Sequence, residues 1–212
     1  MQRKVVFSLV LMLLFVGAAP AYAHVPYIER QDYSWPNPFV VNDVEQSKAV
    51  YSWLETGEDV DFFLFDISEP TDLFVEVIVP ECMAYAQFLP SYAIVGPDLP
   101  EPTEPLPVNL PEGYGAIVVP NLEPGEPRNT FFEPFGGKFY YEGIQFNQEV
   151  DTPGWWGVIV WDPYQMGGDY TASIGLAERF TPGDILRSLI NTPYVRQDRE
   201  LHTDDCNTRA AE

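Results

Sequence analysis

From Ser47 onward the chain is a succession of short apolar segments, rich in Val, Phe, Tyr, Ile and Trp, each cut off by Gly, Pro, Asn or Asp. Segments of that length and composition suit a pleated, half-buried surface far better than a helix, so the expected class is all-β. Strands are expected over Ala49 to Leu54, Val60 to Ile67, Leu73 to Val79, Ser91 to Val95, Gly115 to Val119, Lys138 to Phe146, Gly157 to Trp161 and Asp169 to Ile174. In the second of these, Asp61, Phe63, Phe65 and Ile67 point one way and Val60, Phe62, Leu64 and Asp66 the other. Both faces are largely apolar, which places that strand centrally in its sheet. The stretch from Gly154 to Gly175, with Asp162-Pro163 and Gly167-Gly168 between two apolar runs, reads as a hairpin.

Two segments depart from this rhythm. Between Gly96 and Pro127 nine prolines fall in 32 residues. Each removes a ladder donor, so residues 96–127 are expected to be an extended, acidic surface loop, apart from the apolar piece Ala116 to Val119. Thr181-Pro182-Gly183-Asp184 reads as an N-cap with Pro at the first helical position. Ile185, Leu186, Leu189 and Ile190 follow at helical spacing until Pro193, predicting one short C-terminal helix packed on the sandwich. Residues 24–195 are expected to form a single domain, with 196–212 as a polar tail.

The start of the chain reads as an address. Arg3 and Lys4, an apolar run from Val5 to Gly17, and Ala21-Tyr22-Ala23 are the three parts of a secretory signal peptide over residues 1–23. Thirteen apolar residues span about 20 Å, short of the roughly 30 Å hydrocarbon core. The expected product is exported, periplasmic or extracellular, begins at His24 and inserts no segment into a membrane. Without 1–23, nine basic residues face 32 acidic ones, and none of the basic ones lies between Ala49 and Pro127. Such a chain repels phosphate backbones, excluding nucleic acid as a partner class. The two cysteines, Cys82 and Cys206, form an even pair in an oxidising compartment and are expected to be one disulfide.

The pattern Ala49-Val50-Tyr51-Ser52-Trp53-Leu54, Asp59-Val60-Asp61-Phe62-Phe63-Leu64-Phe65, Leu73-Phe74-Val75-Glu76-Val77 and Gly168-Asp169-Tyr170-Thr171-Ala172-Ser173-Ile174 resembles the bacterial pre-peptidase C-terminal family. There an acidic D-x-D-x-[FY]-x-F strand and a closing G-x-Y strand bracket the domain. The resemblance covers about half of the chain after residue 23. It implies a non-catalytic, jelly-roll-like antiparallel β-sandwich, found appended to secreted enzymes and in some members binding calcium or polysaccharide. This chain differs in standing alone and in carrying the proline-rich insertion.

Candidate sites follow from residue chemistry. Asp59 and Asp61, with Asp169 on the closing strand, offer the hard carboxylate oxygens that calcium takes. His24, once terminal, would place an α-amino group and an imidazole on one residue; with His202 it would form a copper chelate, an alternative pointing to redox chemistry. Trp35, Trp53, Trp155, Trp156, Trp161, Tyr140 and Tyr141 could supply a platform for stacking sugars, and adjacent residues on a strand face opposite ways, so one of Trp155 and Trp156 is expected to be exposed. The chain has no G-x-S-x-G, no H-E-x-x-H and no phosphate-cradling glycine loop, and its two histidines lie near its ends. The reading is an exported, non-catalytic binding protein for another protein, a surface or a polysaccharide, supported by calcium. A secreted carbohydrate-active enzyme is the remaining possibility.

Overall fold

The computed structural model describes residues 24–206; the expected signal segment 1–23 and the end of the tail, 207–212, lie outside the described residues. In chain order the strands are β1 (Val25–Ile28), β2 (Phe39–Val40), β3 (Lys48–Leu54), β4 (Val60–Ile67), β5 (Thr71–Pro80), β6 (Ser91–Pro97), β7 (Tyr114–Val119), β8 (Thr130–Glu133), β9 (Lys138–Tyr141), β10 (Gln145–Val150), β11 (Gly154–Trp161) and β12 (Gly168–Ile174), followed by helix α1 (Pro182–Val195). They build an all-β sandwich. One sheet runs β1-β3-β12-β5-β9-β8 with β10 also paired to β5, and the other runs β2-β4-β11-β6-β7. All pairs are antiparallel except two at the edges, β1 with β3 and β2 with β4.

The alternation read in β4 governs the packing. Phe63, Phe65 and Ile67 face the other sheet, where they meet Val50, Leu54, Val75, Val77, Tyr170 and Ala172 in the main core. Phe62 and Val60 face outward, yet they too are covered, because Leu106, Val108 and Leu110 of the proline-rich loop pack over them. That loop therefore covers part of the outer face of the five-stranded sheet. Two glycines permit close approaches that a side chain would block. A Cβ at Gly96 would sit 2.3 Å from the Trp156 ring, and one at Gly143 would sit 2.1 Å from the carbonyl oxygen of Val77.

Three expected elements are corrected. The expected hairpin Gly154 to Gly175 is a crossover: β11 lies between β4 and β6 in one sheet, and β12 lies between β3 and β5 in the other. The turn is long enough to change sheets because Asp162 organises it, accepting N–H bonds from Tyr164, Met166 and Gly167. The expected strand Lys138 to Phe146 is two strands, β9 and β10, broken where Gly143 crowds β5. The short edge strands β1, β2 and β8 carry too few alternating residues to register in the sequence.

Helix α1 is the third. Its capping box is as expected, with the Thr181 Oγ1 accepting from Asp184 N–H and the Asp184 carboxylate accepting from Thr181 N–H at 2.9 Å. Pro193 sits inside its last turn instead of ending it. Ile185, Leu186, Leu189 and Ile190 are exposed and do not pack on the sandwich. The helix is oriented by polar contacts instead: Gln46 donates to Asp184, Asn191 donates to the carbonyl of Pro26, and Arg187 lies over the Tyr27 ring.

The disulfide Cys82–Cys206 is present, with Cα atoms 5.1 Å apart. No helix among the described residues is long and apolar enough to cross a membrane.

Candidate metal centre

Asp61 is fully buried, 0% exposed, although it carries a carboxylate. Its place on β4 forces this, since it shares the inward face with Phe63 and Phe65. The Tyr170 hydroxyl, inward-facing on β12, donates to Asp61 Oδ2 across the gap between sheets, while Asp61 Oδ1 has no hydrogen-bond partner. Beside it lies a second buried carboxylate. Glu29 follows β1, and its backbone N–H continues the ladder by donating to the carbonyl of Tyr51 at 2.8 Å. Its side chain turns inward, with Oε1 accepting from Tyr33 N–H and Oε2 from Trp53 N–H.

The segment from Glu29 to Tyr33 bridges the two sheets at one end of the sandwich, because the Tyr33 carbonyl accepts from Phe62 N–H of β4 at 2.8 Å. This strap brings Asp32 over Asp61. Carboxylate oxygens of Glu29, Asp32 and Asp61 lie within 4.8 Å of one another. Oxygens on opposite sides of a Ca²⁺ ion are about 4.6 to 5.2 Å apart, so one such ion reaches all three. Dehydration and mutual repulsion both disfavour the charged forms of the two buried members. Burial pushes the Asp61 carboxyl up to about 9, with the Glu29 charge as the next cause, and burial pushes Glu29 up to about 8. Ser52, inward-facing on β3, adds a buried hydroxyl beside Glu29 and Tyr170.

Of the three aspartates expected to hold calcium, the structure brings only Asp61 to this cluster. Asp59 stands at the entrance to β4 and caps the preceding turn, accepting from Glu55 N–H at 2.7 Å. Asp169 is next to Tyr170 on β12, so it faces the opposite side of its sheet. There it is fully partnered: the Tyr85 hydroxyl, the His202 backbone N–H at 2.8 Å and the His202 ring at 2.6 Å all meet it. Glu29 and Asp32 were missed because neither lies on a periodic segment. The available signal was the cluster Glu29, Arg30, Asp32 after an apolar tetrad.

The two histidines are not brought together. His24 Nδ1 is 2.6 Å from Ser47 Oγ, just before β3, whereas the His202 ring stacks on Trp53 near the end of β3 at 4.2 Å between centroids. Those anchors, Ser47 and Trp53, are six positions apart in extended chain, about 20 Å. Among the described residues no carboxylate hydrogen-bonds the His24 ring, so Ser47 and His24 lack the third member of a hydrolytic triad.

The tryptophans divide as the strand geometry requires. Trp156 faces the core, while Trp155 is 54% exposed. Together with Trp35, 63% exposed, Trp155 flanks a cavity of about 410 Å³ between the five-stranded sheet and the proline-rich loop. Trp161 and Tyr140 are buried.

No family model and no curated protein matches the chain. Among solved structures it is similar to the pre-peptidase C-terminal domain of a collagenase from Bacillus anthracis, at 11% identity over 69% of this chain and 97% of that one, with a TM-score of 0.35.

Proposed function

We propose that the chain is an exported, non-catalytic β-sandwich binding module in which a calcium ion held by Glu29, Asp32 and Asp61 fastens the strap from Glu29 to Tyr33 across the two sheets. The observation that carries this reading is the orphaned Oδ1 of a fully buried Asp61, a residue with a carboxylate oxygen within 4.8 Å of oxygens of two further carboxylates. An unpaired buried charge is costly, and the hydroxyl of Tyr170 satisfies only one of its two oxygens. A hard divalent cation supplies what is missing and brings its remaining ligands from backbone carbonyls or water. The exposed rings of Trp35 and Trp155 are the surface on which a polysaccharide would stack.

Thermal melting in calcium, magnesium and chelator tests the site. At a calcium concentration 100 times the dissociation constant the gain is about 2.7 kcal/mol, which for a chain of this size raises the melting temperature by roughly 5 to 10 °C. Asp61→Asn abolishes the response to calcium and melts in chelator no lower than the parent at pH 8. An unchanged calcium response in that variant, or none in the parent, refutes the site.

A further inference from the structure

A surface helix ordinarily turns its apolar stripe to the core and its polar side to water. Helix α1 does the reverse. Asp184, Arg187 and Asn191 lie on the side held against the sandwich: Asp184 accepts from Gln46, Asn191 donates to the Pro26 carbonyl at 3.0 Å, and the Arg187 guanidinium lies 4.1 Å from the centre of the Tyr27 ring. Val195, in the last turn, is the one apolar residue of the helix that is buried there, against Ala49 and Tyr51. The other side presents Ile185, Leu186, Leu189 and Ile190, each more than half exposed, with Pro193 exposed among them. At 3.6 residues per turn these five fall within about 140° of one face.

Three properties of that face specify its occupant. The first is shape. Ile185 with Leu189, and Leu186 with Ile190, form ridges at i, i+4. Beside them runs an open groove of about 750 Å³, lined by Phe180, Ser188, Thr192 and Gln197, where the small side chains of Ser188 and Thr192 leave room. A ridge and a groove side by side on one helix are complementary to the same helix turned about a two-fold axis. The second is area. With Phe180, the four aliphatic residues expose roughly 500 to 600 Å², at the upper end of what a monomer presents and most of the ~800 Å² per partner that a stable dimer buries. The third is charge. The acid of α1, Asp184, is buried in the capping box, so two such faces meet without opposing carboxylates. The nearest cations are already used within the chain, Arg187 on Tyr27 and Arg196 on the carbonyls of Pro134 and Phe135, which leaves little to hold an acidic partner.

We infer that α1 is a dimerisation face whose occupant is a second copy of this chain, helix against helix about a two-fold axis near Leu189. The ridge of each copy enters the groove of the other, and Leu189 meets its own counterpart. The two helices then run antiparallel, with the N-terminal end of each dipole beside the C-terminal end of the other. The polar side of α1 fixes the helix to its own sandwich and the apolar side joins the two sandwiches, which accounts for a helix whose spacing is amphipathic and whose apolar stripe the chain itself leaves uncovered. An anionic bilayer is the poorer occupant, because after residue 23 the chain carries nine basic residues against 32 acidic ones and is repelled by such a surface.

Sedimentation equilibrium of the chain from His24 onward decides the matter. The parent is expected to form a dimer and nothing larger, with a dissociation constant on the order of 10 µM for an apolar interface of this size. Association is expected to tighten severalfold as salt rises from about 0.05 to 0.5 M, because screening removes repulsion between two acidic copies. Leu189→Glu and Leu189→Lys, at a position 69% exposed, are each expected to weaken the dimer by at least about a hundredfold while leaving the circular dichroism of the chain unchanged. Mixed in equal amounts, the two variants are expected to regain at least about tenfold in association, since position 189 faces itself across the axis. Met166→Glu, in the turn at the far end of β12, leaves the parent constant unchanged. A monomer at about 100 µM, a dimer untouched by Leu189→Glu or equally weakened by Met166→Glu, or a mixture that associates no better than either variant alone each overturns the inference. So does a monomer that binds phosphatidylglycerol vesicles through Leu189, which would make the face a lipid site. Should Leu189→Glu disturb the helix, the salt series and Ile185→Ser, expected to weaken the dimer about tenfold, still decide.

Discussion

Asp61 and Asp169 are both buried, both lie on strands interior to their sheets, and both accept the hydroxyl of a tyrosine. Their surroundings differ in kind. Asp169 points away from the core and is met by the C-terminal tail, where His202 gives it a backbone N–H and a ring nitrogen. Asp61 points into the core and keeps one oxygen without a partner, beside a second dehydrated carboxylate. Burial of an aspartate therefore does not mark a cation site by itself. What separates the two is whether the protein's own donors use up the charge, as they do at Asp169 and fail to do at Asp61.

The largest way to break the contrast is to release the tail. Cys206 ties the segment bearing His202 to Cys82, beside the turn that carries Tyr85. Replacing both cysteines by serine opens a link between residues 124 apart in sequence. The expected cost is about 4 to 5 kcal/mol on the chain-entropy estimate, read from urea denaturation. The His202 ring then leaves Trp53, so tryptophan fluorescence changes along with stability. The pair Asp169→Asn and Asp61→Asn sharpens the contrast next. Asp169→Asn forfeits charged hydrogen bonds and loses about 2 to 3 kcal/mol whether or not calcium is present. Asp61→Asn loses the calcium response but little or no stability in chelator, because the cost it removes is that of an unpaired charge.

Much of this was legible in the sequence, for identifiable reasons. β4 showed itself through two-residue alternation with two apolar faces, and one of the two sets, Phe63, Phe65 and Ile67, fills the space between the sheets. The disulfide followed from a count of two. By contrast, the cluster depends on Glu29, which reaches Asp61 only because a four-residue strand pairs in parallel with β3 and the next turn crosses to the other sheet. No local period encodes that approach. The same blindness to long-range placement turned a crossover into an expected hairpin: β11 and β12 are adjacent in sequence, but each prefers a different sheet. In α1 the helical spacing was right, whereas the face it buries was set by the capping box and Gln46, which apolar periodicity does not register.

Proton linkage tests the Asp61 side of the contrast. Glu29 and Asp61 have carboxyls raised to about 8 and about 9, both chiefly by burial. Raised groups bind protons more tightly in the folded chain, so their contribution is fully present below the unfolded value near pH 4 and is lost as pH rises through 8 to 9. In chelator the melting temperature of the parent is expected to fall across that window. Calcium removes the fall, and so does the double replacement Glu29→Gln with Asp61→Asn. A flat profile in chelator contradicts the assignment of the cluster as two uncompensated carboxylates.

The smallest expected effect isolates how much of the Asp169 arrangement rests on the imidazole alone. His202→Ala removes the 2.6 Å ring contact and the stacking on Trp53 but keeps the backbone N–H that also meets Asp169. The ring is half exposed, so water replaces part of what is lost, and the expected cost is about 1 kcal/mol. A loss as large as that of Asp169→Asn would mean that the ring, not the tethered backbone, satisfies the aspartate. Asp169 would then depend on a single mobile partner, and the difference from Asp61 would narrow to one side chain.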